Sequence, residues 1–174
     1  MERVNSAYPE LTNAFQASYL DLKKLARAHF AGERVDHTLQ PTAVVHEVFV
    51  RLSSSNTLQL DDDQAFMIAA CRTMREVLID HARRRSRLKR GRSWRRVPLR
   101  PALSPAKSTD RDLMDLHEAL ELMERRWNRQ ARVAELQLFG GFSTPEIANA
   151  LDISHRTAQL DWNFARAWLK RHLG

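Results

Sequence analysis

Leu11, Ala14, Phe15, Ser18, Leu22, Leu25, Ala26 and His29 recur at the spacing of one helix face, which predicts an amphipathic helix of about 20 residues ended by Gly32. Thr38 and Pro41 suit the opening of a second helix, because a proline in the first turn lacks only an N–H the turn does not use. Its apolar face is Val44, Val45, Val48, Phe49 and Leu52. The run Ser53 to Thr57 followed by Asp61-Asp62-Asp63 reads as a polar loop, with the acids set for the positive end of the next helix. In that long third helix Phe66, Ala69, Ala70, Thr73, Met74, Val77 and Leu78 form the apolar stripe, and the polar face ends in His81 and Arg83-Arg84-Arg85. Three such helices bury one small core.

Residues 91–111 carry Gly91, Pro98, Pro101 and Pro105 among Ser and Lys, so they read as a flexible linker. Beyond it, Leu113, Leu116, Leu120 and Met123 stripe one helix, and Asn128 is expected to cap another that runs to Phe139. Gly140-Gly141 then supplies a left-handed stop. Ser143 and Glu146 have the spacing of a capping box, a short helix follows to Leu151, and Ser154 caps a last helix to about His172. Few Val/Ile/Thr alternations and only 5 Gly point away from sheets. The expectation is therefore an all-α chain of two small helical domains, residues 1–90 and 112–174, on either side of the linker.

Charge narrows the picture. The formal net charge is +7 over 174 residues, yet residues 1–80 hold 8 basic and 11 acidic side chains, residues 113–174 hold 8 and 8, and residues 81–112 hold 12 and 2. The excess sits in one belt, and His81 to Arg100 contains ten Lys or Arg and no acid. Such a run is either a solvated tail or a nonspecific nucleic-acid handle, with Trp94 available to stack on an unpaired base. The longest apolar run, Ala65 to Cys71, is far short of the roughly 18 residues a membrane span needs. No secretory signal is visible, and a lone Cys71 fits a reducing compartment.

The strongest local signal is Glu146-Ile-Ala-Asn-Ala-Leu151-Asp-Ile-Ser154 leading into Thr157-Ala158. Two short helices, a small Ala148 where they cross, and anchors at Ile147, Leu151, Ile153 and Ala158 match a helix-turn-helix, with a plain helical hairpin as the alternative. Asp152 stands where many such units have Gly, tolerable because Asp enters the left-handed region more easily than most side chains. In a DNA reader the last helix would present His155, Arg156, Gln159 and Asn163 to the major groove, with Trp162, Ala165, Trp168 and Leu169 as core. Leu160 and Asp161 are unexpected on that surface. Enzyme signatures are missing or broken: His46-Glu47-Val48-Phe49-Val50 starts like a zinc-protease motif but places Val50 where the second histidine belongs. No metal, cofactor or catalytic residue is expected. His29 and His117 read as satisfied, half-buried histidines, and Cys71 lies on an apolar helix side.

The order of parts resembles bacterial extracytoplasmic-function (ECF) sigma factors, the small two-domain members of the sigma-70 superfamily. Carrying the resemblance are His46-Glu47-x-Phe49-x-Arg51, the long helix to Ile79-Asp80-His81-Ala-Arg83-Arg84-Arg85, the linker and the C-terminal helix pair. Thr38 to Glu47 and Gly140-Gly141 look like one subgroup. The resemblance implies a cytoplasmic protein that binds core RNA polymerase and directs it to promoters without chemistry of its own. It implies that His46, Glu47, Phe49 and Arg51 meet the clamp coiled coil of the large polymerase subunit. Arg72, Arg75, Glu76, Asp80, His81, Arg83 and Arg84 would recognise and help open the minus-10 element, and His155, Arg156, Gln159 and Asn163 would read the minus-35 element. An anti-sigma factor is a further partner the resemblance admits. Ala69 and Glu76 stand where many relatives carry Trp and Asn, and Leu160-Asp161 replaces a common Ser-Arg pair. Two other readings stay open: a two-domain repressor or activator, for which no heptad stripe supplies the usual dimer, and a DNA-processing enzyme, for which no nucleophile with an acid-base cluster is found.

Overall fold

In the computed structural model, residues 9–30, 40–54, 63–88 and 110–174 are described, and all regular structure among them is α-helical. Three helices come first: α1 Pro9–Phe30, α2 Pro41–Ser54 and α3 Asp63–Leu88. They pack on one another through the predicted stripes. Leu22, Ala26, Val44, Val45, Val48, Phe66, Ala70 and Met74 are all fully buried, and a side chain of the size of Leu22 or Phe66 contributes about 1.5–3 kcal/mol by leaving water. Pro41 opens α2 as expected, the Gln40 carbonyl accepting from the N–H groups of Ala43 at 2.9 Å and Val44 at 3.2 Å. Ser53 and Ser54, expected in the polar loop, instead form the last turn of α2. Their hydroxyls donate back to the carbonyls of Phe49 and Val50, one turn earlier. Asp63 of that loop opens α3, and residues 55–62, Gly32, Thr38, the side chain of His29 and the linker residues 91–109 lie outside the described residues.

Four helices follow: α4 Asp110–Arg126, α5 Asn128–Phe139, α6 Thr144–Ala150 and α7 His155–Leu173. Asp110 and Arg111, expected in the linker, are helical, because Asp110 and Asp112 place negative charge on the positive end of α4. Asn128 is the first residue of α5 and not its cap. Trp127 occupies the cap (φ −137°, ψ 63°): its N–H donates to the Met123 carbonyl at 2.7 Å, and its carbonyl accepts from Ala131 at 3.0 Å. The indole lies edge-on to Phe164 and Trp168, with ring centroids 5.2 and 5.9 Å away, so packing holds the break between α4 and α5.

The expected stops after α5 are present. Gly141 is left-handed (φ +65°), while the N–H groups of Gly140 and Phe142 share the Leu136 carbonyl. The Ser143 N–H and hydroxyl both donate to the Glu146 carboxylate at the head of α6, and that bonding holds the Glu146 pKa down. Asp152 takes the left-handed turn (φ +50°), and the Ser154 hydroxyl caps α7 by accepting from the Thr157 N–H at 3.0 Å.

The two helical groups meet across α3, which packs on α1 and α2 with one side and on α4, α5 and α6 with another. One apolar cluster runs without a break from Leu22 through Met74 and Leu120 to Leu169. A second is shared between Cys71 of α3 and Val133, Leu136, Ile147, Ala148 and Ala158 of α5, α6 and α7. His117 is buried against this junction but is not satisfied: Nε2 lies 3.4 Å from Glu121, and Nδ1 has no hydrogen-bond partner.

Candidate nucleic-acid interface

α3 carries three stripes with different fates. Phe66, Ala70, Met74, Val77 and Leu78 belong to the core shared with α1 and α2. Arg72, Glu76, Arg83 and Arg84 are exposed, and Asp80 and His81 are half-exposed, forming the polar face expected to meet DNA. Arg75 leaves that set. It is only 5% exposed, and its Nε lies 3.1 Å from Oε1 of Glu135 on α5. An arginine in a run of helix-surface arginines reads as solvent-facing, but the C-terminal helices cover this one.

The C-terminal helices also reach two more arginines of α3. Arg72 lies 3.8 Å from both Glu76 and Glu124, and Arg85 lies 3.3 Å from Asp110. Burial pushes the Glu135 pKa up, while Arg75 and then Arg72 pull it down. These acids of α4 and α5 had no sequence signal, since each looks like an ordinary polar-face glutamate or aspartate of its own helix. Beside them, burial and the Glu135 charge push the Cys71 thiol up to about 12, which leaves it a protonated packing group.

The residues expected to meet polymerase lie on α2. His46 and Glu47 are exposed. Phe49 is half-buried, its ring centroid 4.5 Å from that of Phe15, so it joins α2 to α1 before it offers anything to a partner. Arg51 is held between Glu47 and Asp80, each at 3.0 Å. Burial lowers its pKa, but the hydrogen bonds to Glu47 and Asp80 raise it by more. A residue expected at the polymerase surface and one expected at the minus-10 element are thus joined by one ion pair. Val50, which breaks the metal-ligand spacing, is an exposed apolar side chain on the same helix.

On α7, His155, Arg156 and Asn163 are exposed and Gln159 is half-buried, its Nε2 donating to Asn163 Oδ1 at 3.2 Å. The helix therefore brings all four expected residues to its first two to three turns. Leu160 lies among them, 57% exposed, whereas Asp161 turns inward at 5% and accepts from Arg129 and Gln130 of α5.

Among the described residues no group of three or more His, Cys, Asp or Glu is placed to hold a metal, and no helix is long and apolar enough to cross a membrane. No curated protein and no solved structure matches the chain at a significant level. A family model described as ECF sigma factor matches residues 2–174, nearly the whole sequence, and the chain belongs to the ECF sigma factor family.

Proposed function

We propose that this chain binds core RNA polymerase through the exposed α2 surface around His46 and Glu47, and reads promoter DNA with two separate helices. The polar face of α3, with Arg72, Glu76, Asp80, His81, Arg83 and Arg84, serves the minus-10 element. The first turns of α7 serve the minus-35 element as the second half of a helix-turn-helix. The observation that carries this reading is the turn before α7: left-handed Asp152 and the Ser154 cap leave His155, Arg156 and Asn163 outside while Ala158, Ala165 and Leu169 anchor the helix. That division is what a helix laid in a major groove requires. Family membership over residues 2–174 adds transcription initiation as the process.

The module 113–174 is neutral overall, so its own phosphate-driven affinity is modest. Tethering both readers to polymerase raises their effective concentration and offsets this. Run-off transcription with core polymerase on a genomic fragment library, with and without the protein, tests the reading. New start sites that depend on the protein are expected, and their absence would overturn it. His46→Ala and Glu47→Ala are the suitable polymerase-contact variants, because both side chains are exposed and the Phe15–Phe49 contact stays intact.

A further inference from the structure

We infer that Leu160 is a base-reading residue: it covers the 5-methyl group of one thymine in the major groove, and so makes the chain demand that base within the minus-35 element. The inference rests on the reading above, in which α7 is the minus-35 reader.

Of the large apolar side chains of α7, only Leu160 and Phe164 are exposed. Phe164 has a partner in the Trp127 indole, edge-on with ring centroids 5.2 Å apart. Leu160, at 57% exposed, is left to solvent. Residues three or four apart share a helix face, so its surroundings on α7 are Arg156 and Thr157 one turn before and Asn163 and Phe164 one turn after. Two of the four polar readers thus flank it. A third, Gln159, precedes it in the chain and donates to Asn163 at 3.2 Å. All lie in the first two to three turns, the part of a recognition helix that meets base edges.

The neighbour in sequence fixes its direction. Asp161 is buried and tied to Arg129 and Gln130 of α5. Successive helix residues are about 100° apart, so with residue 161 locked inward residue 160 is carried to the outer surface. The carboxylate that would repel DNA is paired inside the protein, and a hydrocarbon side chain takes the place beside Arg156.

A leucine side chain neither donates nor accepts a hydrogen bond. Every base pair presents donors or acceptors in the major groove, and only thymine adds a methyl group. Set against cytosine, Leu160 would cover the N4 amino group and give it no acceptor, a desolvation without return. Set against thymine, it covers the methyl group instead. Leucine here therefore selects by exclusion as well as by attraction, while the polar side chains around it supply hydrogen bonds.

The full-length chain, with and without core polymerase, is used to select sites from a randomised duplex library. In the enriched duplex each thymine in turn is replaced by deoxyuridine, which removes the methyl group and keeps the hydrogen-bonding edge. One replacement is expected to weaken binding about four-fold, the transfer value of one buried carbon group. With Leu160→Ala the same replacement should make no difference, and with Leu160→Met it should matter again. Cytosine at that position should bind more weakly than uracil, and 5-methylcytosine should recover about four-fold over cytosine. Both variants alter an exposed side chain, and circular dichroism should match wild type.

If no deoxyuridine effect disappears with Leu160→Ala, the inference is overturned and the minus-35 reading stands. Leu160→Ala that weakens assembly with core polymerase while leaving base preferences unchanged would assign the side chain to the polymerase, and overturn it too. No enriched sequence under either condition would overturn both the inference and the reading of α7. A Leu160-dependent uridine effect without protein-dependent transcription would instead sink the sigma reading and leave Leu160 as a thymine reader.

Discussion

Asp161 of α7 is clasped by α5: the Arg129 guanidinium donates to both of its oxygens, and Gln130 Nε2 donates to one of them at 2.7 Å. The carboxylate is buried and the guanidinium is half in solvent. These bonds raise the Arg129 pKa and tie α7 to α5. An acid that looks misplaced on the helix proposed to read DNA is therefore turned into the protein. It fixes the angle at which His155, Arg156 and Asn163 are presented.

Asp161→Ala removes the charge-assisted bonds and leaves Gln130 without its partner, so it is expected to lower stability by about 2 kcal/mol. Arg129→Ala should also lower stability, because it leaves the buried Asp161 carboxylate with the Gln130 bond alone. Urea unfolding of the full chain measures both. No loss in either variant would show that the clasp contributes nothing to stability.

The apolar stripes of α1 to α3 and the stops at Gly141, Asp152 and Ser154 were legible because each is a local rule acting over a few residues. The second buried side of α3 was not. Cys71, Arg75, Ile79 and Ala82 follow helical spacing and are all buried, but the arginine breaks the apolar pattern and reads as part of the polar face. Its partner Glu135 lies sixty residues away on another helix, and no local pattern marks it. The same holds for Asp161 and Arg129. Charges that neutralise each other at a distance are invisible to periodicity, so the candidate site was legible as a set of residues and not as a state of access.

Gly140 and Gly141 differ in what they cost to replace. Gly141 needs a left-handed backbone, and its Cβ would meet only the movable end of Leu25, so Gly141→Ala is expected to destabilise by about 1 kcal/mol. Gly140 has an ordinary φ of −93°, yet its Cβ would lie 2.7 Å from the Leu136 carbonyl oxygen and 2.6 Å from the Cys71 sulfur. Gly140→Ala is therefore the worse change, at about 2–3 kcal/mol. Adding Cys71→Ala should recover part of the loss, because it removes the sulfur but not the carbonyl. Thermal unfolding of the two single variants and the pair gives the coupling, and strict additivity would rule out the Cys71–Gly140 contact.

His117 makes stability depend on pH. Burial, then Arg75, lowers its pKa below the ordinary 6.5; Arg83 acts the same way, and Glu121 and Glu118 pull weakly upward. The folded chain thus takes up this proton less readily than the unfolded chain. The stability of the neutral ring is complete above about 6.5 and is lost as pH falls through the folded value. Between about pH 7.5 and about pH 5.5, the urea midpoint of wild type should fall more than that of His117→Gln, the difference isolating this ring from the other titrating groups. Parallel curves would show that His117 protonates without resistance.

Arg83 and Arg84 differ from Arg75 in being exposed on α3, so both are accessible to a phosphate backbone. Each phosphate contact releases about 0.7–0.9 of a counterion, depending on whether the DNA is single- or double-stranded. The Arg83→Ala, Arg84→Ala double variant should therefore weaken DNA binding at every sequence and flatten the log–log salt slope by about 1.4–1.8. Arg75→Ala should leave the slope unchanged, because its buried guanidinium is paired with Glu135. In a Glu135→Lys background, where Arg75 is released, the same Arg75→Ala change should flatten the slope by about one contact. A slope that responds to Arg75 in the wild-type background would mean that the guanidinium is already on DNA and that Glu135 does not hold it back.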